Sequence, residues 1–236
     1  MSPLVSVVLT LLWGGIAYAD TAAFLQLLLS QPFVAGAVTG AIWGRMEVGL
    51  ELGALLQLFS LGVLPVGGRP PEDFPVGTVV GVAVACALTR LDPVASAQGG
   101  PLLFGLLAAF VTALLGRPLL VWLRHRNEHL ARWVEDELAS GRLAALGRAQ
   151  AAGVVQTFAV GILWTALALS LFTFAGRALF AHSGLAFGRA WQVGAPLAWG
   201  FGAGLVIKGL TRGRKPQILF WCALVAFVAL RLWLAA

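Results

Sequence analysis

Apolar residues dominate long stretches of the chain, at about 3–19, 21–44, 48–67, 75–91, 100–123, 151–176, 190–210 and 216–235. Each lies close to the roughly 20 residues that a helix needs to cross a bilayer. The only long polar segment, Arg124 to Gln150, separates the fifth stretch from the sixth. Within it, Leu130, Trp133, Val134 and Leu138 recur at helical spacing, which predicts an amphipathic connecting helix ending near Ser140-Gly141, with Trp133 at the headgroup level. The pattern predicts an all-α, polytopic integral membrane protein of about eight hydrophobic segments, some of them re-entrant. Residues 1–98 are expected to form a substrate-handling half and residues 99–236 a more regular scaffold half that carries the linker 124–150.

Composition agrees and narrows the choice. Of 236 residues, 59% are hydrophobic and only 11% charged, against about 25% charged in an ordinary soluble domain. That excludes a soluble globular chain and a disordered one. Lys and Arg exceed Asp and Glu by 16 to 10, and in a membrane protein this excess reports orientation rather than nucleic-acid binding. With 124–150 placed in the cytoplasm, nine basic residues fall inside: Arg69, the linker's Arg124, Arg126, Arg132, Arg142 and Arg148, and Arg212, Arg214 and Lys215. Five fall outside, at Arg45, Arg90, Arg177, Arg189 and Arg231, so the positive-inside rule favours this placement with both termini outward. Ala17-Tyr18-Ala19-Asp20 imitates a signal-peptidase site, but no Lys or Arg precedes Arg45, so 3–19 is expected as a retained membrane segment. Cys86 and Cys222 lie in apolar runs and read as core-filling residues.

Candidate chemistry concentrates between residues 21 and 75. Gly36, Gly40 and Gly44, then Gly49 and Gly53, allow close approach of helix backbones. Pro32, Pro65, Gly67, Gly68, Pro70, Pro71 and Pro75 favour interrupted helices, a sequence mark of transport sites. Glu47 and Glu51 share a helix face, and Glu51 sits between Leu50 and Leu52, where a carboxylate costs roughly 2.5–3.5 kcal/mol to insert. Such a residue marks a functional site or pairs with a cation such as Arg45. Gln26, Gln31 and Gln57 carry amides that donate and accept, suiting sugar hydroxyls or helix–helix bonds equally. Gly67-Gly68-Arg69-Pro70-Pro71-Glu72-Asp73 reads as a turn that could gate, dock or simply connect. Metalloprotease, nucleophile-elbow, P-loop and dinucleotide motifs are all missing, and His125, His129 and His182 have no third ligand. No catalytic residue, metal, cofactor or nucleic acid is therefore expected.

Three blocks make the chain recognisable: Gln31-Pro32-Phe33-Val34-Ala35-Gly36 through Gly44, Val48-Gly49-Leu50-Glu51-Leu52-Gly53-Ala54-Leu55-Leu56-Gln57-Leu58, and Leu61-Gly62-Val63-Leu64-Pro65-Val66-Gly67-Gly68 followed by Pro71-Glu72-Asp73. Together they resemble the IIC subunit of mannose/fructose/sorbose-class sugar phosphotransferase systems. Hydropathy of the linker and of 151–176 and 194–209 resembles that family's second half. The resemblance implies a multi-pass inner-membrane channel subunit, assembled as an oligomer among membrane lipids. It implies a IID membrane subunit as partner, IIA and IIB proteins as phosphoryl carriers, and a sugar as substrate. It places Gln57 on the family's Glu/Gln, Asp73 on the Asp of its PPD motif and Gly67-Gly68 on its GG turn. With Gln26, Gln31 and Glu51 these complete the expected substrate contacts. Some positions depart from the family: Gln31 replaces an Arg, Gly44-Arg45 replaces Gly-Asp, and Leu25–Gln31 keeps polarity only at Gln26, Ser30 and Gln31. Two other classes remain open, a divergent membrane scaffold without transport and a secondary transporter coupled to protons through Glu51.

Overall fold

Ser2 begins the first helix, accepting a hydrogen bond from the Val5 amide (3.4 Å), and Pro3 follows at the position where a missing N–H costs nothing. This is a computed structural model, and it describes residues 2–23, 26–62, 72–90, 93–210, 218, 221–222 and 225–226. Helix α1 (Pro3–Ala22) has 20 residues, about 30 Å and thus one hydrocarbon thickness. Leu4, Val8, Leu12 and Ile16 face outward, whereas Ser6, Thr10, Ala17 and Tyr18 are buried. Apolar outside and polar inside is the arrangement a lipid solvent selects. The buried Thr10 hydroxyl is satisfied locally, donating to the Ser6 carbonyl (2.7 Å).

Helices α2 (Pro32–Trp43) and α3 (Met46–Gly62) form a tight antiparallel hairpin turned by Gly44 in the left-handed region (φ +68°). Glycine is required on its inner seam. A Cβ on Gly36 would lie 2.6 Å from the Gly49 carbonyl oxygen, and one on Gly40 would lie 2.8 Å from the Gly49 Cα. A Cβ on Gly53 would reach the Pro32 carbonyl at 2.9 Å. At 12 residues, α2 is about 18 Å long and too short to cross a membrane. Here the structure departs from the single apolar stretch 21–44. Residues 26–31 are not helical, Gln26 and Leu28 have positive φ (50° and 64°), and Pro32 starts a new helix.

Helix α4 (Phe74–Leu88) is the central element and is buried along nearly its whole length. Its Val76, Val80, Val84 and Leu88 share the core with Leu52, Leu55 and Leu56 of α3. A short turn, α5 (Pro93–Ala97), leads into α6 (Gly100–Ala139), a 40-residue helix antiparallel to α4. Gly81 and Gly105 let these two backbones meet, since a Cβ on Gly105 would lie 2.5 Å from the Gly81 carbonyl oxygen.

The polar linker forms as the sequence pattern predicts. Helix α6 continues through it to Ala139, Ser140 caps the end, and Gly141 turns the chain with φ +79°. Arg142 reaches back to Glu137 through two bonds of 2.6 and 2.9 Å, which hold that carboxyl below the usual range, and Arg132 pairs with Glu128. Arg148 lies over the Trp133 ring at 5.7 Å.

Helix α7 (Ala144–Leu210) is two arms joined at Ser183, whose backbone (φ −139°, ψ 15°) is not helical. On the first arm Gly161 meets Tyr18, and Gly176 meets Leu88 and Phe104. Beyond Ser183 the contacts run the other way. Phe187 returns to Phe104 and stacks on Phe180 (5.4 Å), Phe201 reaches Phe59 (5.9 Å), and Leu205 packs on Gly62. The second arm therefore folds back past α3. Among the described residues three helices, α1, α6 and α7, are long and apolar enough to cross a membrane, while α2 and α4 are shorter apolar helices. No strand occurs among the described residues.

Candidate functional site

The start of α2 lies at mid-depth, with α1 as the ruler. Trp13, halfway along α1, donates its indole N–H to the Ala35 carbonyl (3.2 Å), near the start of α2. Near the end of α2, Trp43 donates to the Thr10 hydroxyl (2.9 Å) and the Ser6 hydroxyl donates to the Ile42 carbonyl (3.3 Å). Helix α2 thus runs from the middle of α1 towards its N-terminal end. Non-helical backbone at such depth is tolerated only inside protein or beside a polar cavity.

Three side chains meet at this helix start. The Phe33 amide, one of the N–H groups that α2 itself leaves unused, donates to Gln57 Oε1 (3.2 Å) across the hairpin. Gln57 Nε2 donates to Gln31 Oε1 (2.8 Å) and to Ser60 Oγ (3.5 Å). The Ser60 hydroxyl donates to the Gln57 carbonyl (2.9 Å). Both ends of the Gln57 amide are therefore engaged, and the Gln31 amide nitrogen is the donor this network does not spend. Two of the three glutamines singled out from sequence come together, Gln31 at the cap of α2 and Gln57 on α3.

Asp20 was not among the residues selected from sequence, although it organises the same region. Its buried carboxylate accepts from the Leu27 amide (2.7 Å) through Oδ1 and from the Ser30 amide (2.9 Å) through Oδ2. It thereby replaces the helical hydrogen bonds that residues 26–31 lack and holds Gln26 and Leu28 left-handed. The available signal is an acidic residue ending an apolar run, which the signal-peptidase-like Ala17-Tyr18-Ala19-Asp20 pattern masks.

The remaining candidates lie elsewhere. Gln26 is exposed and bonds to neither Gln31 nor Gln57. Glu51 is half-buried on α3 without a described ion pair, because Arg45 pairs with Glu47 instead (3.6 Å). Gly67 and Gly68 lie outside the described residues. Asp73 is fully buried as the N-cap of α4, where it accepts from the Val76 amide (3.3 Å) and donates its own amide to the Ala113 carbonyl (3.0 Å). Its Oδ2, the Tyr18 hydroxyl, Thr112 Oγ1 and Trp164 Nε1 are buried without hydrogen-bond partners. A Cβ on Gly116 would touch both Asp73 Oδ2 (2.8 Å) and Trp164 Nε1 (3.0 Å). Asp73 thus joins α4 to α6 and α7. No group of three potential metal ligands occurs among the described residues.

Residues 4–181 match the family described as PTS system sorbose-specific IIC component. The chain belongs to that family. Over 57 residues it is 33% identical to the "Putative N-acetylgalactosamine permease IIC component 2" of Escherichia coli (strain K12), a match spanning 24% of this chain and 43% of that relative. The chain thus matches under half the length of this curated relative. A solved protein described as "Structure of membrane protein" superposes with a TM-score of 0.68 at 15% identity, over 100% of this chain and 97% of the other. At that identity the likeness is one of fold. Membership in the IIC family makes this chain a multi-pass membrane component of a phosphotransferase system, in keeping with its long apolar helices.

Proposed function

We propose that this chain is the IIC subunit through which a sugar crosses the inner membrane, working with a IID membrane subunit and with IIA and IIB phosphoryl carriers. The observation that carries the reading is the amide cluster of Gln31, Gln57 and Ser60 at the mid-depth start of α2. An interrupted helix presents unspent backbone N–H groups and side-chain amides together, and these suit a neutral ligand rich in hydroxyls. A site built to bond hydroxyls also rejects ligands that lack them, because its polar groups would be left unpaired. The printed name of the Escherichia coli relative makes an acetamido sugar a first compound to try. Glu51, one turn before Leu55 on α3, is a second contact on this reading, and Gln26 belongs to the segment that Asp20 holds.

The test is uptake by the complex reconstituted with IID and the phosphoryl carriers, against a panel including N-acetylgalactosamine, sorbose and mannose. Gln57→Ala is expected to lower uptake of the preferred sugar about tenfold, equivalent to ~1.4 kcal/mol. Gln57→Glu keeps an acceptor for the Phe33 amide and serves as the folded comparison. Unchanged uptake in both Gln57→Ala and Glu51→Ala would sink the assignment. Uptake that needs no phosphoryl carrier and disappears in Glu51→Gln would favour proton coupling instead.

A further inference from the structure

The outer surface between α6 and the first arm of α7 holds an open groove of about 590 Å³. Leu115, Leu119 and Trp122 of α6 face Leu163, Trp164 and Leu167 of α7 across it. Both helices are of membrane length, and Leu115, Leu163 and Leu167 are exposed on the outside of the bundle. The groove therefore opens onto the outer face that lipid chains would reach in a bilayer. Its end towards the linker is chemically different. Trp122 closes that end, and the Arg126 guanidinium lies over the Trp122 ring at 6.0 Å. Arg126 continues the stripe 115, 119, 122 by one more turn, at the level where the apolar part of α6 gives way to the linker.

Arg126 differs from the two ion-paired linker arginines and, of the two that lie over an indole, is the one beside the groove. Arg132 and Arg142 are spent on Glu128 and Glu137, whereas Arg126 has only the Trp122 ring among the described residues. A cation over an indole at the membrane surface, above an apolar interhelical groove, matches an anionic phospholipid: acyl chain below, phosphate above. We propose that this groove is a binding site for one anionic phospholipid, with its phosphate on Arg126 and a chain between Leu119 and Leu163. Charge complementarity selects this occupant over a second copy of the chain, since a purely apolar contact would leave Arg126 without a counter-ion. The assignment is independent of the sugar site and does not rest on it.

Native mass spectrometry of the full chain, extracted from vesicles of phosphatidylglycerol and phosphatidylcholine in equal amounts, tests the proposal. Retained phosphatidylglycerol is expected to exceed phosphatidylcholine about tenfold. Arg126→Gln should reduce that preference about fivefold, and Leu163→Trp, which fills the groove, should remove the retained lipid. Arg142→Gln removes the same charge at the ion-paired linker turn and should change nothing. Equal retention of the two lipids, or an equal effect of Arg142→Gln and Arg126→Gln, would overturn the site. So would a change of oligomeric state in Leu163→Trp with lipid retention intact, which would assign the groove to a second copy.

Discussion

A carboxylate buried at a helix end needs donors, and Asp20 finds them in the backbone of residues 27 and 30. Charge-assisted bonds of this kind are about twice as strong as neutral ones. They offset two left-handed non-glycine residues, Gln26 and Leu28, each costing on the order of 1 kcal/mol or more. Asp20→Asn retains one acceptor oxygen, so one of the two amides must lose its partner. We expect a loss of roughly 1.5–3 kcal/mol in the local opening free energy of this segment. Amide hydrogen exchange reads it directly: Leu27 or Ser30 should exchange at least about tenfold faster, with Trp43 unaffected. Equal protection in wild type and variant would mean that the segment is held by something other than Asp20. The same residue illustrates a limit of reading a sequence. Gln31 and Gln57 stand out because amides are rare in apolar runs, and they do meet. Asp20 lies at a run's edge, where a charge looks ordinary, and only the folded chain shows its carboxylate turned inward.

Hairpin α2–α3 shows what glycine spacing does and does not disclose. Four-residue spacing pointed to close backbone approach, and Gly36, Gly40, Gly49 and Gly53 do form one seam. Hydropathy could not disclose that the apolar stretch 21–44 breaks, because a broken segment at depth and a continuous helix have the same average polarity. Pro32 was the visible mark, since proline suits a first turn. The linker was legible for the opposite reason: its apolar spacing and its Ser140-Gly141 stop are local signals. Continuity through residues 177–190 was not, because Arg177 and Arg189 suggested a loop where α7 instead bends at Ser183. The seam predicts a contrast. A Cβ on Gly49 would collide with the Gly36 carbonyl oxygen, whereas one on Gly147 meets nothing within 4 Å. Gly49→Ala should therefore destabilise the protein by about 2–3 kcal/mol through overpacking, and Gly147→Ala should be neutral or gain up to about 1 kcal/mol of helix propensity. Melting temperatures in detergent compare them, and a Gly49→Ala melting point at or above that of wild type would refute the seam.

At the scale of the whole molecule, the arms of α7 set which ends of the helices lie together. The linker turn at Ser140 stands at one end of the first arm and the Ser183 bend at the other. The positive-inside rule favours the linker in the cytoplasm, with nine basic residues against five in the sequence. Fold and charge together predict that Ser140 faces inward and the Ser183 bend outward. Single cysteines separate the two in intact cells. On a Cys222→Ser background, where the remaining Cys86 is buried, Ala181→Cys is expected to react with an impermeant maleimide directly. Ser140→Cys should react only after the membrane is opened. Reversed reactivity would keep the helix arrangement and invert the orientation, which would also move Arg126 and its groove to the outer leaflet. Both sites reacting from the same side would be more serious. It would mean that the first arm of α7 does not cross, although its length and outward leucines require a membrane around it.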